Sequence, residues 1–201
     1  MEAWLAIVIR QITLYILPII ISLTVVSFIE SQLTKKASPH AFFSFTSKAT
    51  WWPFLASIAF TRGIIFALPQ TSSGLYATWI RFLAHLILCI VGFAIYAWAL
   101  THQAPTGLPP LHHWWAKILM YFNLCMLGIH LLPLPNLLMG ELLARYTAKN
   151  LALQWWMRWL NNQRALWMIT LLAASPLIDI IIGGSIVFPI YKQLAMMATR
   201  F

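Results

Sequence analysis

The chain has 201 residues, 61% hydrophobic and only 8% charged, with 13 Lys and Arg against 4 Asp and Glu for a formal charge of +9. A soluble domain is about 25% charged. With a mean hydropathy of +0.79 the chain lacks the polar residues to cover an apolar core of its size, which excludes a soluble globular or a disordered protein. Its basic residues are single charges between apolar runs rather than a stripe that tracks phosphates, so nucleic-acid binding is disfavoured and the surplus reads as membrane topology.

A hydrocarbon layer of about 30 Å needs roughly 20 apolar residues of helix. The first such run covers residues 4 to 29, with Arg10 and Pro18 inside it. It has no basic segment before it and no small-residue cleavage site, and is expected to be a retained helix, not a signal peptide. The second run is 51 to 69, bounded by Pro53 and Pro69, with Arg62 and Gly63 inside. The third is 79 to 100 and the fourth 114 to 135, which ends at the Pro133-Leu134-Pro135 break and continues into the short run 137 to 143. Residues 165 to 191 form the last. Cys89 and Cys125 lie inside these runs as small hydrophobes, and no structural disulfide is expected.

Charges in the connections set the expected topology. Residues 30 to 50 carry Lys35, Lys36 and Lys48, residues 144 to 164 carry Arg145, Lys149, Arg158 and Arg164, and residues 101 to 113 carry no Lys or Arg. If all the runs crossed, the two basic loops would fall on opposite sides of the membrane, against the positive-inside rule. A re-entrant 51 to 69 puts both on the cytoplasmic side. The expected fold is therefore an all-α integral membrane protein, one domain over 1 to 201. It has about four transmembrane helices (4 to 29, 79 to 100, 114 to 135, 165 to 191) plus one re-entrant segment, 51 to 69. Both termini fall on the non-cytoplasmic side, and the bacterial cytoplasmic (inner) membrane is the expected location. The Trp-rich segment 151 to 164, with Trp155, Trp156, Trp159 and Arg158, reads as an interfacial anchor in the headgroup plane or as a partner-binding face.

Few polar groups fall at membrane depth. They are Glu30, His85, Asn123, His130, Glu141 and Asp179. The topology places Glu30, His85, His130 and Glu141 near the cytoplasmic side, where they could converge. The most distinctive string runs from Phe122 to Gly140. Its Leu-Leu-Pro-Leu-Pro-x-Leu-x-x-Gly core resembles a signature of the site-2 protease family of intramembrane zinc metalloproteases, Asn-Leu-Leu-Pro-x-Pro-x-Leu-Asp-Gly-Gly. Where that family has His-Glu-x-x-His the chain has Ile29-Glu30-Ser31-Gln32-Leu33, and where it has Gly-Pro-x-x-Asn the chain has Arg81-Phe82-Leu83-Ala84-His85. The resemblance implies a site-2-protease-like core and a former zinc site at Ile29, Leu33 and Leu138, none able to bind a metal, with Glu30 at the former base position. Without zinc to lower the pKa of water, one carboxylate supplies no nucleophile. The resemblance thus implies a pseudoenzyme: a non-catalytic membrane subunit or scaffold that binds other integral membrane proteins in a larger complex.

Other readings of the same residues stand beside this one. Glu30, beside Lys35 and Lys36, can be a plain interfacial charge. His85 and His130 can ligate haem or, with Glu30, a divalent metal, or can simply hydrogen-bond within the bundle in place of the family's asparagines. His112 and His113, beside Trp114 and Trp115, fit an interfacial belt. Asp179 is expected to pair with Arg10 or Arg62 rather than to relay protons for a small transporter. Gly183 and Gly184 suit close helix packing.

Overall fold

The computed structural model describes residues 2–35, 48–69, 74–102, 109–134, 136–146, 152, 154–155 and 163–200. In chain order the helices are α1 (Glu2–Thr34), α2 (Lys48–Ala59), α3 (Leu75–Thr101), α4 (Leu111–Ile129), α5 (Leu138–Tyr146) and α6 (Gln163–Ala174), followed by a π-helical stretch (Asp179–Val187) that runs directly into α7 (Phe188–Ala198). No strand occurs among the described residues. Three helices, Trp4–Thr34, Leu75–Thr101 and Asp179–Ala198, are long and apolar enough to cross a membrane. The architecture is that of an all-helical membrane protein. The 19-residue α4 is not one of these three, because His112, His113, Lys117 and Asn123 lower its hydropathy.

α1 is 33 residues long, about 50 Å at 1.5 Å per residue, more than a hydrocarbon layer needs. Pro18 within it has no N–H to offer the Leu14 carbonyl. Pairing between α3 and α4 runs from Tyr96 against His113, through Gly92 against Met120, to His85 against Asn123. Numbers falling on one helix as they rise on the other mean antiparallel packing. The helices meet closely at Gly92, where a Cβ would lie 2.6 Å from the Met120 backbone nitrogen. α1 packs across both, and α2 packs on α6, with Trp52 and Trp167 at 5.9 Å between ring centroids. Ile19, Ile64, Phe66, Met120, Phe122 and Ile129 fill the core.

Two expected runs end elsewhere than hydropathy alone suggests. The run 165 to 191 is not one helix: α6 stops at Ala174, and the long apolar helix begins afresh at Asp179. Pro176 cannot continue the hydrogen-bond ladder, and the Ser175 hydroxyl oxygen accepts from the Leu177 N–H in its place. The fourth run stops as a helix at Ile129, short of its prolines. The run 51 to 69 is a helix followed by an irregular segment: α2 ends in a turn at Phe60 and Thr61, and residues 62–69 are non-helical, with Ile64 to Leu68 buried. Its backbone N–H groups at Gly63 and Ile64 are bound by Asp179 at 3.1 and 2.8 Å. A non-helical backbone enclosed by protein in this way suits a membrane setting.

Candidate functional site

Where α1 ends, Glu30 is turned inward against Arg81 of α3. Arg81 Nε lies 2.9 Å from Glu30 Oε2, and the two side chains are only 5% and 6% exposed. Arg81 also reaches the turn after α4, where its Nη1 donates to the Asn136 carbonyl at 3.0 Å. Asn136 adopts φ 65°, a left-handed conformation that Asn tolerates better than most side chains, and its amide donates to the Pro69 carbonyl at 3.4 Å. One arginine thus ties together the end of α1, the start of α3 and the turn between α4 and α5. Glu141 of α5 is within electrostatic reach of the same arginine.

A second polar cluster lies against the first. Asn123 donates from Nδ2 to the Leu119 carbonyl at 2.8 Å, which fixes its amide so that Oδ1 is the acceptor. That oxygen accepts from the Ser22 hydroxyl at 2.8 Å and from His85 Nδ1 at 2.7 Å. In the neutral ring His85 therefore carries its proton on Nδ1. His130, at the end of α4, does the reverse: its Nδ1 accepts from the Leu138 N–H at 3.3 Å, which leaves the proton on Nε2. The two rings are tilted, with centroids 5.9 Å apart, and His130 Nε2 is buried with no hydrogen-bond partner.

The proline-rich turn is held by its own backbone. The Met139 N–H donates to the His130 carbonyl at 3.0 Å, and a Cβ on Gly140 would lie 2.6 Å from the carbonyl carbon of Leu134. Only glycine fits there. The glycine of the Leu-Leu-Pro-Leu-Pro-x-Leu-x-x-Gly string is thus the residue that lets α5 fold back against the turn.

Glu30, His85, His130 and Glu141 lie near one end of the bundle, around Arg81, which is ion-paired with Glu30 and within electrostatic reach of the other three. Glu30 is not a plain interfacial charge, because it is 4% exposed and ion-paired. Ile29 packs in part against Ala84 and Leu88 of α3, Leu138 is buried beside His130, and Leu33 is 55% exposed. Asp179 does not pair with Arg10 or Arg62; its carboxylate is spent on two backbone amides. The atoms nearest a Cβ placed on Gly183 belong to the Phe188 ring of its own helix. Trp155 is 66% exposed. Trp156, Arg158 and Trp159 lie outside the described residues.

Sequence inspection does not single out Arg81, Asn136 or Ser22. The signal for Arg81 was available: a lone cation at the start of one apolar run answers a lone carboxylate at the end of another. Among the described residues no three His, Cys, Asp or Glu side chains are grouped closely enough to hold a metal ion. Beside the polar clusters runs an apolar groove of about 360 Å³ between α3, α4 and the last helix, lined by Phe82, Leu86, Ile90, Leu127, Leu131 and Ile190 among others. Comparison with known proteins gives no match: no family model, no curated protein and no solved structure is similar to this chain.

Proposed function

We propose that the chain is a non-catalytic membrane subunit or scaffold, built on a core like that of the site-2 proteases, that holds other integral membrane proteins in a hetero-oligomeric complex. One observation carries this reading. The three segments that resemble the family's motifs meet through Glu30, Arg81 and Asn136, where the acid is locked to Arg81, and Ile29, Leu33 and Leu138 carry no metal-ligating group. A carboxylate held by a guanidinium is an acceptor already in use, not a base waiting for water.

In this reading α4 joins the three long apolar helices to make four spans, and 51–69 is the re-entrant element. Both basic loops face the cytoplasm of a bacterial inner membrane, and both termini lie outside. The apolar groove offers a partner helix a contact surface, and the Trp-rich segment with Trp155, Trp156, Trp159 and Arg158 adds a cytoplasmic face. The test of the non-catalytic part is to incubate the purified chain with zinc and a panel of membrane-embedded helical peptides. No hydrolysis is expected; cleavage that a zinc chelator abolishes would overturn the reading.

The closeness of His85 and His130, 5.9 Å between ring centroids, favours a second reading, in which the pair holds haem or a divalent metal once the His130 proton moves from Nε2 to Nδ1 and the Leu138 contact is given up. It requires a Soret band or stoichiometric metal in protein isolated from its own membrane, lost in His85→Ala. A colourless, metal-free preparation disposes of it. The transporter reading has less to stand on, since Asp179 is fixed by two backbone amides.

A further inference from the structure

At the other end of α4 from His130, a second cavity of about 360 Å³ opens between α1, α4, the 62–63 turn and α7. Its walls include Tyr15, Arg62, Trp114, Lys117, Tyr121 and Tyr191. Two cations therefore line one cavity, and neither is ion-paired among the described residues. Glu30 is ion-paired with Arg81 and lies off the cavity wall. The carboxylate of Asp179, which borders Gly63, is committed to the Gly63 and Ile64 N–H groups. Arg62 Nε is buried without an acceptor. Lys117 Nζ has only aromatic company, 5.6 Å from the centroid of Trp114 and 6.0 Å from that of Tyr96.

The backbone behind Arg62 is held on both sides. Its own N–H donates to the Ser57 carbonyl at 2.8 Å, the Gly63 N–H goes to Asp179, and the Gly63 carbonyl accepts from the Tyr121 hydroxyl. Tyr121 is braced in turn by an edge-on contact with Tyr191 at 5.0 Å between centroids. The backbone that carries Arg62 is thus a fixed frame. Tyr15 and Tyr191 line the same cavity with hydroxyls that bond no described residue. Two cations beside the single carboxylate of Asp179 leave an excess positive charge among apolar and aromatic walls, and an anion in the cavity lowers its cost.

We infer that this cavity is a binding site for a phosphate group, with Arg62 as its bidentate donor and Lys117 as its second charge. An arginine fork beside an ammonium matches the paired non-bridging oxygens of a phosphate, whether monoester or diester, and the tyrosine hydroxyls add two further donors. Leu14, Ile118 and Phe188 complete the wall with apolar surface, which suits a phosphate that carries an alkyl chain. The inference depends on the membrane architecture and not on the scaffold reading.

The full chain, delipidated in neutral detergent, is titrated separately with phosphatidylglycerol, phosphatidylcholine and inorganic phosphate, and adducts are read by native mass spectrometry. Saturable binding of one phosphatidylglycerol per chain is expected, tighter than phosphatidylcholine, and weakened at least about tenfold in Arg62→Gln and in Lys117→Gln. Inorganic phosphate that binds with the same sensitivity supports the site and identifies the free anion as a source. Lys117 is only partly buried, so its variant guards against loss of folding in Arg62→Gln. Equal phosphatidylglycerol binding by the folded Lys117→Gln protein and the wild type, or no preference over phosphatidylcholine together with no phosphate binding, overturns the inference.

Discussion

Replacing Arg81 with Met removes the cation from a contact in which both side chains are about 95% shielded, at 5% and 6% exposure. Glu30 then loses the guanidinium 2.9 Å from its carboxylate, and the Asn136 carbonyl loses the donor that reaches it at 3.0 Å. Breaking a buried pair in this way costs about 3–5 kcal/mol. The lost bond to Asn136 belongs to the same cluster and does not add to this in full. In a chain of this size each kcal/mol moves the thermal midpoint by about 2–4 °C, so a fall of about 6–20 °C is expected. The 11 tryptophans make unfolding in detergent measurable by intrinsic fluorescence. The informative control is the double variant Glu30→Leu with Arg81→Met, which leaves no lone charge and should recover most of the loss, since apolar replacements of buried pairs are often neutral. A single-variant shift below about 2 °C, the behaviour of an exposed pair, would refute the reasoning. So would a double variant worse than either single one.

Other consequences follow from the same contacts. Gly140→Ala forces a Cβ into the Leu134 carbonyl group, with the carbon at 2.6 Å, and should lower the midpoint while raising hydrogen exchange at Met139. Gly92→Ala sets a methyl 2.6 Å from the Met120 backbone nitrogen, so α3 and α4 must separate. A cost of about 1–3 kcal/mol is expected from such overpacking, and an unchanged midpoint would count against the close approach. Asp179→Asn keeps one acceptor oxygen in place of two, and the amides of Gly63 and Ile64 should exchange faster while those of α3 do not. In neutral protein, nitrogen NMR should find the His85 proton on Nδ1 and the His130 proton on Nε2; the opposite pair of tautomers contradicts the Asn123 and Leu138 contacts.

Much of the architecture is legible in composition because a membrane allows few solutions: long apolar runs can only be helices. The boundaries are not, and Pro176 shows why. Hydropathy carries straight across Ser175 and Pro176, yet the backbone cannot, so a single expected run from 165 to 191 divides into α6 and a helix starting at Asp179. The candidate site was half visible. Glu30, His85 and His130 are conspicuous as polar residues in apolar runs. Arg81 is masked by a place near the start of its run, where a cation normally reaches out to the headgroups, whereas here it turns inward to Glu30. Asp179 misleads in the opposite direction. A buried carboxylate suggests a cationic partner, and hydropathy gives no hint that two backbone amides of an irregular segment take that place.

The central claim is that this chain acts by holding other membrane proteins. Its most direct test is to extract the untagged protein from its native membrane in mild detergent, measure the mass of the particle, and identify its components and their ratios. The account predicts a particle with a fixed set of companion membrane proteins at constant stoichiometry, retained when Glu30→Leu and Arg81→Met are introduced together. A lone chain in its detergent belt would contradict it.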